Sequence, residues 1–318
     1  MMNKKMISLA LLMGLGLCTA SAYNYASSEA RTPFVATVNP IIPLSATIVG
    51  EKVDFDREDM YERLDRELTN IVYGHSSTLL ILKRANKYFP VLAPILKKND
   101  VPIDFLYLAA IESSMNVRAY SRAGAAGLWQ LLAATARQYG LEVNDEVDER
   151  YDPEKSTEAA CRYLKSGYGK YRHWCTVAAS YNAGMGRISS ELQKQLVGNS
   201  FDLYLNEETS RYVFRFIAMK LVMQNPKKYG FRLSVRQLYQ PVRYKEVEVS
   251  GSIKSWSEWA DAKGVSYAQL REINPWIRSS SLTNKRGRVY KVKLPVADDL
   301  YRSKRTFKAY DENWIIKE

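Results

Sequence analysis

Histidine is nearly missing from this chain: His75 and His173 are the two in 318 residues. Cysteine is almost as scarce, with Cys18, Cys161 and Cys175. Their spacings to the histidines fit no metal-binding pattern, so neither a metal nor a cofactor is expected. With so little histidine, no Ser/His/Asp arrangement has a plausible sequence context either. Long hydrophobic runs are missing as well. The longest, Met6 to Leu17, is too short for a good membrane span. Acidic residues fall behind basic ones, 34 against 46, for a net charge of +12. That balance favours a polyanionic partner.

What is present narrows the choice. Lys4 and Lys5 precede the apolar run, and Ala20-Ser21-Ala22 follows with small residues where a signal peptidase reads. Residues 1–22 therefore read as a secretory signal, cleaved after Ala22. The rival reading is lipid attachment at Cys18, with Leu17 standing where a lipoprotein signal normally has a small residue. In both readings the mature chain leaves the cytoplasm, which removes nucleic acid from the expected partners. An oxidising compartment permits a Cys161–Cys175 disulfide, while the apolar helical setting of both suits buried free thiols equally.

The length suits one large domain and a small one. Residues 23–53, rich in Ala, Ser, Thr and Pro, read as a leader or linker. From 54 to 240 the pattern is helical, with no β alternation. Met60, Leu64, Leu68 and Ile71 mark one helix. Ser76-Ser77-Thr78 can cap the next, which Pro90 and Pro94 punctuate. Asp152-Pro153 opens another, and Tyr212, Phe216, Met219 and Met223 lie along one side of a helix from Thr209 to Gln224. After residue 240 the texture changes. Tyr244–Val249 and Val289–Leu294 alternate as strands, with two short helical patterns between them. The order there is strand, helix, helix, strand over residues 241–300, and 301–318 form a C-terminal tail. The fold class is thus mainly α with a small α/β module.

The chain is organised around Pro102 to Gln130. An apolar helix, Phe105 to Ile111, ends in a single carboxylate, Glu112, which shares a face with Phe105, Leu108 and Ala109. A carboxyl in such a setting loses hydration and holds its proton more tightly, which suits a general acid. Taken alone, it is more often an ion-pair partner at a helix end. Its companions change the reading. Gly124-Ala125-Ala126-Gly127 allows close backbone approach, and Trp129 and Gln130 offer an aromatic plane and an amide suited to a sugar. Ser180-Tyr181-Asn182-Ala183-Gly184 ends a helix, and Glu208-Thr209-Ser210-Arg211-Tyr212 opens the last long one.

Together these segments resemble the lytic transglycosylases of the bacterial cell wall, family-23 glycoside hydrolases, in particular the membrane-bound murein transglycosylases of the D type. Glu112-Ser113, Gly127 to Gln130, Tyr181 to Gly184, and Glu208-Thr209 with Tyr212 carry the match, with Asp148-Glu149-Arg150 and Asp152-Pro153 in support. Three positions depart from the pattern: Ser180 for Ala, Leu131-Leu132-Ala133 for an aromatic, Met and Pro, and Asn206 for Pro. The resemblance implies a lysozyme-like helical fold, its core at about 95–225. It also implies cleavage of the MurNAc-β-1,4-GlcNAc bond without water, leaving 1,6-anhydroMurNAc ends. By it, Glu112 is the catalytic residue, acid first and base second, and Ser113, Gln130, Tyr181, Asn182 and Tyr212 bind or support the substrate. The tail from Tyr244 to Pro295 is similar to a LysM peptidoglycan-binding module, with Trp256, Trp259 and Trp276 as extra aromatics. The expected partner is a peptidoglycan strand. The expected setting is the periplasm or cell wall, with a membrane contact only through lipid on Cys18, and the expected state is monomeric. Two alternatives stand beside this reading: a lysozyme-type hydrolase, and an inactive glycan-binding protein on the same fold.

Overall fold

The computed structural model describes residues 38–316, so the signal-peptide reading and the Cys18 alternative lie outside the described residues. Where the sequence suggested a leader, the chain forms a hairpin. Strands β1 (Ser45–Ile48) and β2 (Glu51–Asp54) pair antiparallel. Val49 and Gly50 turn between them, both at positive φ, as a tight hairpin requires. Ile48, Val49, Val53 and Phe55 are buried. A valine in a left-handed turn is no turn signal, and four-residue strands carry too little alternation to read, so composition pointed elsewhere.

Eight helices follow: α1 (Glu58–Tyr73), α2 (His75–Lys98), α3 (Phe105–Ser113), α4 (Ala133–Gln138), α5 (Pro153–Tyr171), α6 (Trp174–Ala183), α7 (Met185–Gln195) and α8 (Glu207–Gln224). Helix α1 buries Met60, Leu64, Leu68 and Ile71 as their spacing predicts. Helix α2 differs from expectation. It runs straight through Pro90 and Pro94, and Ser77 and Thr78 donate to the carbonyls of Gly74 and Ile71 rather than capping it. Each proline deletes one helical hydrogen bond, but Phe89, Leu92 and Leu96 are fully buried around them. Apolar burial of roughly 1.5–3 kcal/mol per large side chain outweighs the lost bonds.

Helix α3 is buried nearly all round, as its composition demands. Asp104 does not cap it. Its carboxylate accepts from the Val49 backbone N–H at 2.6 Å and pairs with Lys220 of α8, which also donates to the Thr47 carbonyl at 2.6 Å. The hairpin, the start of α3 and α8 are tied by this one buried ion pair. Asp152 caps α5 through the N–H groups of Glu154 and Lys155, and Asn206 caps α8 through Thr209. The Asn206 departure from the family pattern thus supplies its own helix start. Cys161 and Cys175 are free and buried, which decides between disulfide and thiols. Burial pushes the Cys161 thiol up to about 12.

Past residue 240 the expected order holds: β3 (Tyr244–Val249), α9 (Trp256–Asp261), α10 (Tyr267–Ile273) and β4 (Tyr290–Pro295), the strands pairing antiparallel from Tyr244↔Pro295 to Val249↔Tyr290. Ser255 caps α9, and Ser266 with Gln269 forms a capping box on α10. Trp256 and Trp276 are core residues here, packed with Val249, Leu270, Ile277 and Val292. They are not a glycan-facing surface. Val147 of the helical region completes that same core. The last stretch is no free tail. Trp314 is buried and donates to the Met223 carbonyl at 2.6 Å, and Tyr310 donates its N–H to Asn86 of α2. The described residues from 40 to 316 accordingly lie in one compact unit. Among the described residues, no helix is long and apolar enough to cross a membrane.

Candidate active site

Helix α3 delivers Glu112 at its last turn. Ser114 and Met115 follow at φ +50 and +53, two consecutive left-handed residues without glycine. Such backbone costs about 1–3 kcal/mol per residue and persists only where its surroundings enforce it. Met115 is fully buried and Arg84 donates to the Ser114 carbonyl at 3.2 Å, so packing and a cation hold the turn. The chain thus leaves the helix sharply and exposes part of the Glu112 side chain.

The Glu112 carboxylate accepts a short hydrogen bond from the Tyr212 phenol of α8. Burial dominates its electrostatics and pushes its carboxyl up to about 7, against the pull of Tyr212 and of Arg215, with Glu208 adding a push upward. A carboxyl balanced near neutrality can give a proton and take one back. Tyr212 is 4% exposed, and its own ionisation is driven far up by burial and by the Glu112 charge. It is therefore a fixed donor.

The other residues singled out fall in two groups. Tyr181 lies close enough to Glu112 for the carboxylate charge to raise its pKa further, after burial. Its phenol donates to the Trp129 carbonyl at 2.6 Å, so it braces the loop that carries Gln130. Gln130, at φ +47, donates its amide N–H groups to the carbonyls of Gly127 (2.9 Å) and Ala119 (3.2 Å), so the amide nitrogen is committed to its own loop. Asn182 follows Tyr181 on α6 and is partly exposed. Ser113 does not join the carboxylate. Its hydroxyl donates to the Ala109 carbonyl at 3.0 Å and is buried, the usual outcome for a serine inside a helix. Trp129 offers no plane to a sugar either: it is fully buried, and its indole N–H donates to Thr157 at 2.8 Å.

Two buried supports hold these groups, of which Glu67 went unnoticed in the sequence and Arg150 was noted only as part of a matching segment. Glu67 of α1 is 1% exposed and receives Arg211 Nε and, at 3.1 Å, Arg215 Nε. These arginines flank Tyr212 on α8, so one buried carboxylate fixes the helix face that presents the phenol. The signal was available: Glu67 lies three residues after Leu64 and four before Ile71, on the apolar face. The second support is Arg150. It is buried, grips Asp148 with two hydrogen bonds of 2.9 and 2.7 Å, and donates to the carbonyls of Gly124 (2.7 Å) and Leu131 (3.1 Å). It holds both ends of the Gln130 loop.

Residues 91–199 match the family model of the transglycosylase SLT domain. The chain carries an SLT transglycosylase domain. Residues 245–298 match the LysM-like domain found at the C-terminus of soluble lytic transglycosylases. The chain is homologous to the membrane-bound lytic murein transglycosylase D of Escherichia coli K12, with 30% identity over 232 residues, 71% of this chain and 50% of the relative. Membrane-bound lytic murein transglycosylase F of Alteromonas mediterranea is 36% identical over 117 residues, covering 33% of this chain and 24% of the relative. The chain thus spans about half the length of the first of these relatives. The solved 70 kDa soluble lytic transglycosylase of Escherichia coli aligns with 43% of this chain and 24% of its own at 22% identity and a TM-score of 0.38. Glu112, Gln130, Tyr181 and Asn182 lie inside the matched SLT segment. Tyr212 and Glu67 lie beyond it, so the environment of the acid is completed by helices flanking the SLT domain.

The Tyr212 bond yields a test. The bond stabilises the ionised carboxylate and so lowers the Glu112 pKa. Tyr212→Phe removes it, and the pKa moves above about 7. A general acid must be protonated, so the alkaline limb of the pH–activity profile should move to higher pH. An unmoved limb would show that Tyr212 does not bond to Glu112 in solution.

Proposed function

We propose that this chain is a peptidoglycan lytic transglycosylase that cleaves the MurNAc-β-1,4-GlcNAc bond without water. The observation that carries the reading is Glu112: one carboxyl, raised to about 7 chiefly by burial and held by the Tyr212 phenol. Protonated, it can give its proton to the glycosidic oxygen as that bond breaks. The resulting carboxylate can take the proton of the MurNAc C6 hydroxyl as its oxygen closes onto C1. The proton count returns to its start and no second carboxylate is used. An intramolecular attack of this kind needs orientation more than a captured water, and the Gln130 amide oxygen and Asn182 are the groups that supply it.

The homologues bear names of membrane-bound murein enzymes, and the signal-like first 22 residues fit a chain working in the periplasm on the wall. The SLT-bearing unit over 54–240 carries the chemistry, and the LysM-like unit over 241–300 contributes to holding peptidoglycan. The competing hydrolase reading has one candidate second carboxylate, Glu208, whose charge reaches Glu112. Mass spectrometry of products from purified wall separates the two. Anhydro-ended muropeptides are expected, and reducing-end MurNAc as the main product would favour the hydrolase.

A further inference from the structure

The LysM-like unit is stitched to the SLT domain edge to edge. Asp148 N–H donates to the Trp276 carbonyl at 2.9 Å, and Arg278 N–H to the Glu146 carbonyl at 2.8 Å. Glu146 in turn accepts from the Thr283 backbone at 2.8 Å and from its hydroxyl at 3.0 Å. Along this seam lies a cavity of about 650 Å³, formed mostly by the helical region, to which the module contributes Arg278. Arg118, Arg137 and Tyr120 line it from the helical side and Arg278 from the module. Tyr120 is 67% exposed. A second cavity of about 430 Å³ shares Arg137 and Asn144 with the first and adds Lys285, Arg286 and Arg288.

The charges there are unevenly matched. Arg118 pairs with Glu272 and Arg288 with Glu142, while Arg150 is buried on Asp148. Among the described residues, Arg137, Arg278, Lys285 and Arg286 have no carboxylate within ion-pair distance. Arg137 is held in place by the Val143 carbonyl (2.7 Å), and Arg278 rests over the Tyr151 ring at 4.4 Å. Asp145 is the unpaired acid on the same lining, so the excess is positive. Arg137 commits Nε (3.2 Å) and Nη2 to the Val143 carbonyl and Arg278 commits Nη1 to the Pro275 carbonyl (3.4 Å), and the remaining guanidinium N–H groups beside an exposed phenol are suited to carboxylates on a small polar chain. The loop that forms one wall also carries the active site: Tyr120 bridges to Ala126, and Gln130 bonds to Ala119.

We propose that this seam is an anion subsite that takes the free carboxylates of the peptide arms branching from the glycan, with Arg137 and Arg278 as its main contacts. The proposal rests on the transglycosylase reading for the identity of the polymer. It makes the module a wall of the substrate site and gives the basic excess of the chain a defined use.

The test uses the full chain with Arg137→Gln and Arg278→Gln combined. Cleavage is followed on peptide-bearing glycan and on glycan stripped of peptide by an amidase. Charge-assisted hydrogen bonds are worth roughly tenfold or more each, so the ratio of kcat/KM on peptide-bearing to stripped glycan should fall about tenfold or more. The ratio is blind to a general loss of fold, because one protein sample meets both substrates. Arg137→Lys with Arg278→Lys, which keeps charge and loses the fork, should recover part of it. An unchanged ratio overturns the subsite, whatever happens to the separate rates. If wild type cleaves neither substrate, the transglycosylase reading fails first. The seam is then tested by NMR titration with a synthetic stem tetrapeptide and its fully amidated form. Shifts of the Arg137 and Arg278 Nε–H signals with the free-carboxylate peptide alone support it, and no shifts, or equal shifts with both, overturn it.

Discussion

Glu112→Gln should lower cleavage of peptidoglycan by about 10²–10⁴-fold, the usual worth of a positioned acid–base group. The amide keeps the size of the carboxyl and can still accept from Tyr212, so the bond that orients the side chain survives. It cannot give up a proton to the glycosidic oxygen, and it cannot take one from the C6 hydroxyl, so both halves of the reaction lose their agent. The same substitution should make the fold more stable at neutral pH. The Glu112 carboxyl is raised in the folded state, to about 7 from an ordinary 4.5. The folded protein therefore binds more protons than the unfolded chain between those values. The stability linked to this group is present below about 4.5 and is lost as pH rises through about 7. Glutamine never ionises and escapes that loss. Thermal melts of both proteins at pH 4 and pH 8 check this: the variant should gain on the wild type only at the higher pH. Near wild-type turbidity clearance by Glu112→Gln would remove Glu112 from the chemistry.

The second large effect is expected on stability. Gly127 sits at φ +78, and a Cβ there would lie 1.9 Å from the Arg150 carbonyl oxygen. No side chain relaxes that overlap, because the obstacle is backbone held by a buried guanidinium–carboxylate clamp. Gly127→Ala adds the left-handed penalty for alanine, about 1–2 kcal/mol, to a backbone displacement of about 1–3 kcal/mol. For a unit of this size, each kcal/mol corresponds to roughly 2–4 °C, so a fall in Tm of about 5–15 °C is expected. Gly124→Ala is the matched control. It is also at positive φ, at +81, but its Cβ would meet nothing nearer than the Tyr120 hydroxyl at 3.5 Å. It should show the conformational penalty alone. Equal melting shifts for the two would mean that the Arg150 clamp does not hold the loop.

The helices of the SLT region were legible because their apolar faces repeat at helical spacing, and the βααβ order because strand alternation and two short helical patterns are local signals. Glu112 and Tyr212 were legible as a pair through resemblance, and geometry then supplied the bond between them. What stayed hidden was non-local. Trp129 looked like a sugar platform, since an indole beside an amide reads that way in one dimension; burial against Thr157 is a tertiary fact. The burial of Trp256 and Trp276, read in the sequence only as extra aromatics, is a tertiary fact of the same kind. The hairpin at 45–54 and the return of Trp314 to α8 depend on a core assembled from distant segments. Glu67 gave a signal in its place on an apolar helix face, but its partners lie 144 and 148 residues away.

The central claim is that Glu112 hands its borrowed proton chemistry to the sugar itself, and digestion of purified wall in ¹⁸O-labelled water tests it most directly. A lyase closes the C6 oxygen onto C1, so the anhydro-ended muropeptides should carry no label at the cleaved end. An inverting or retaining hydrolase brings water to C1, and reducing-end MurNAc carrying ¹⁸O as the main product would contradict the account.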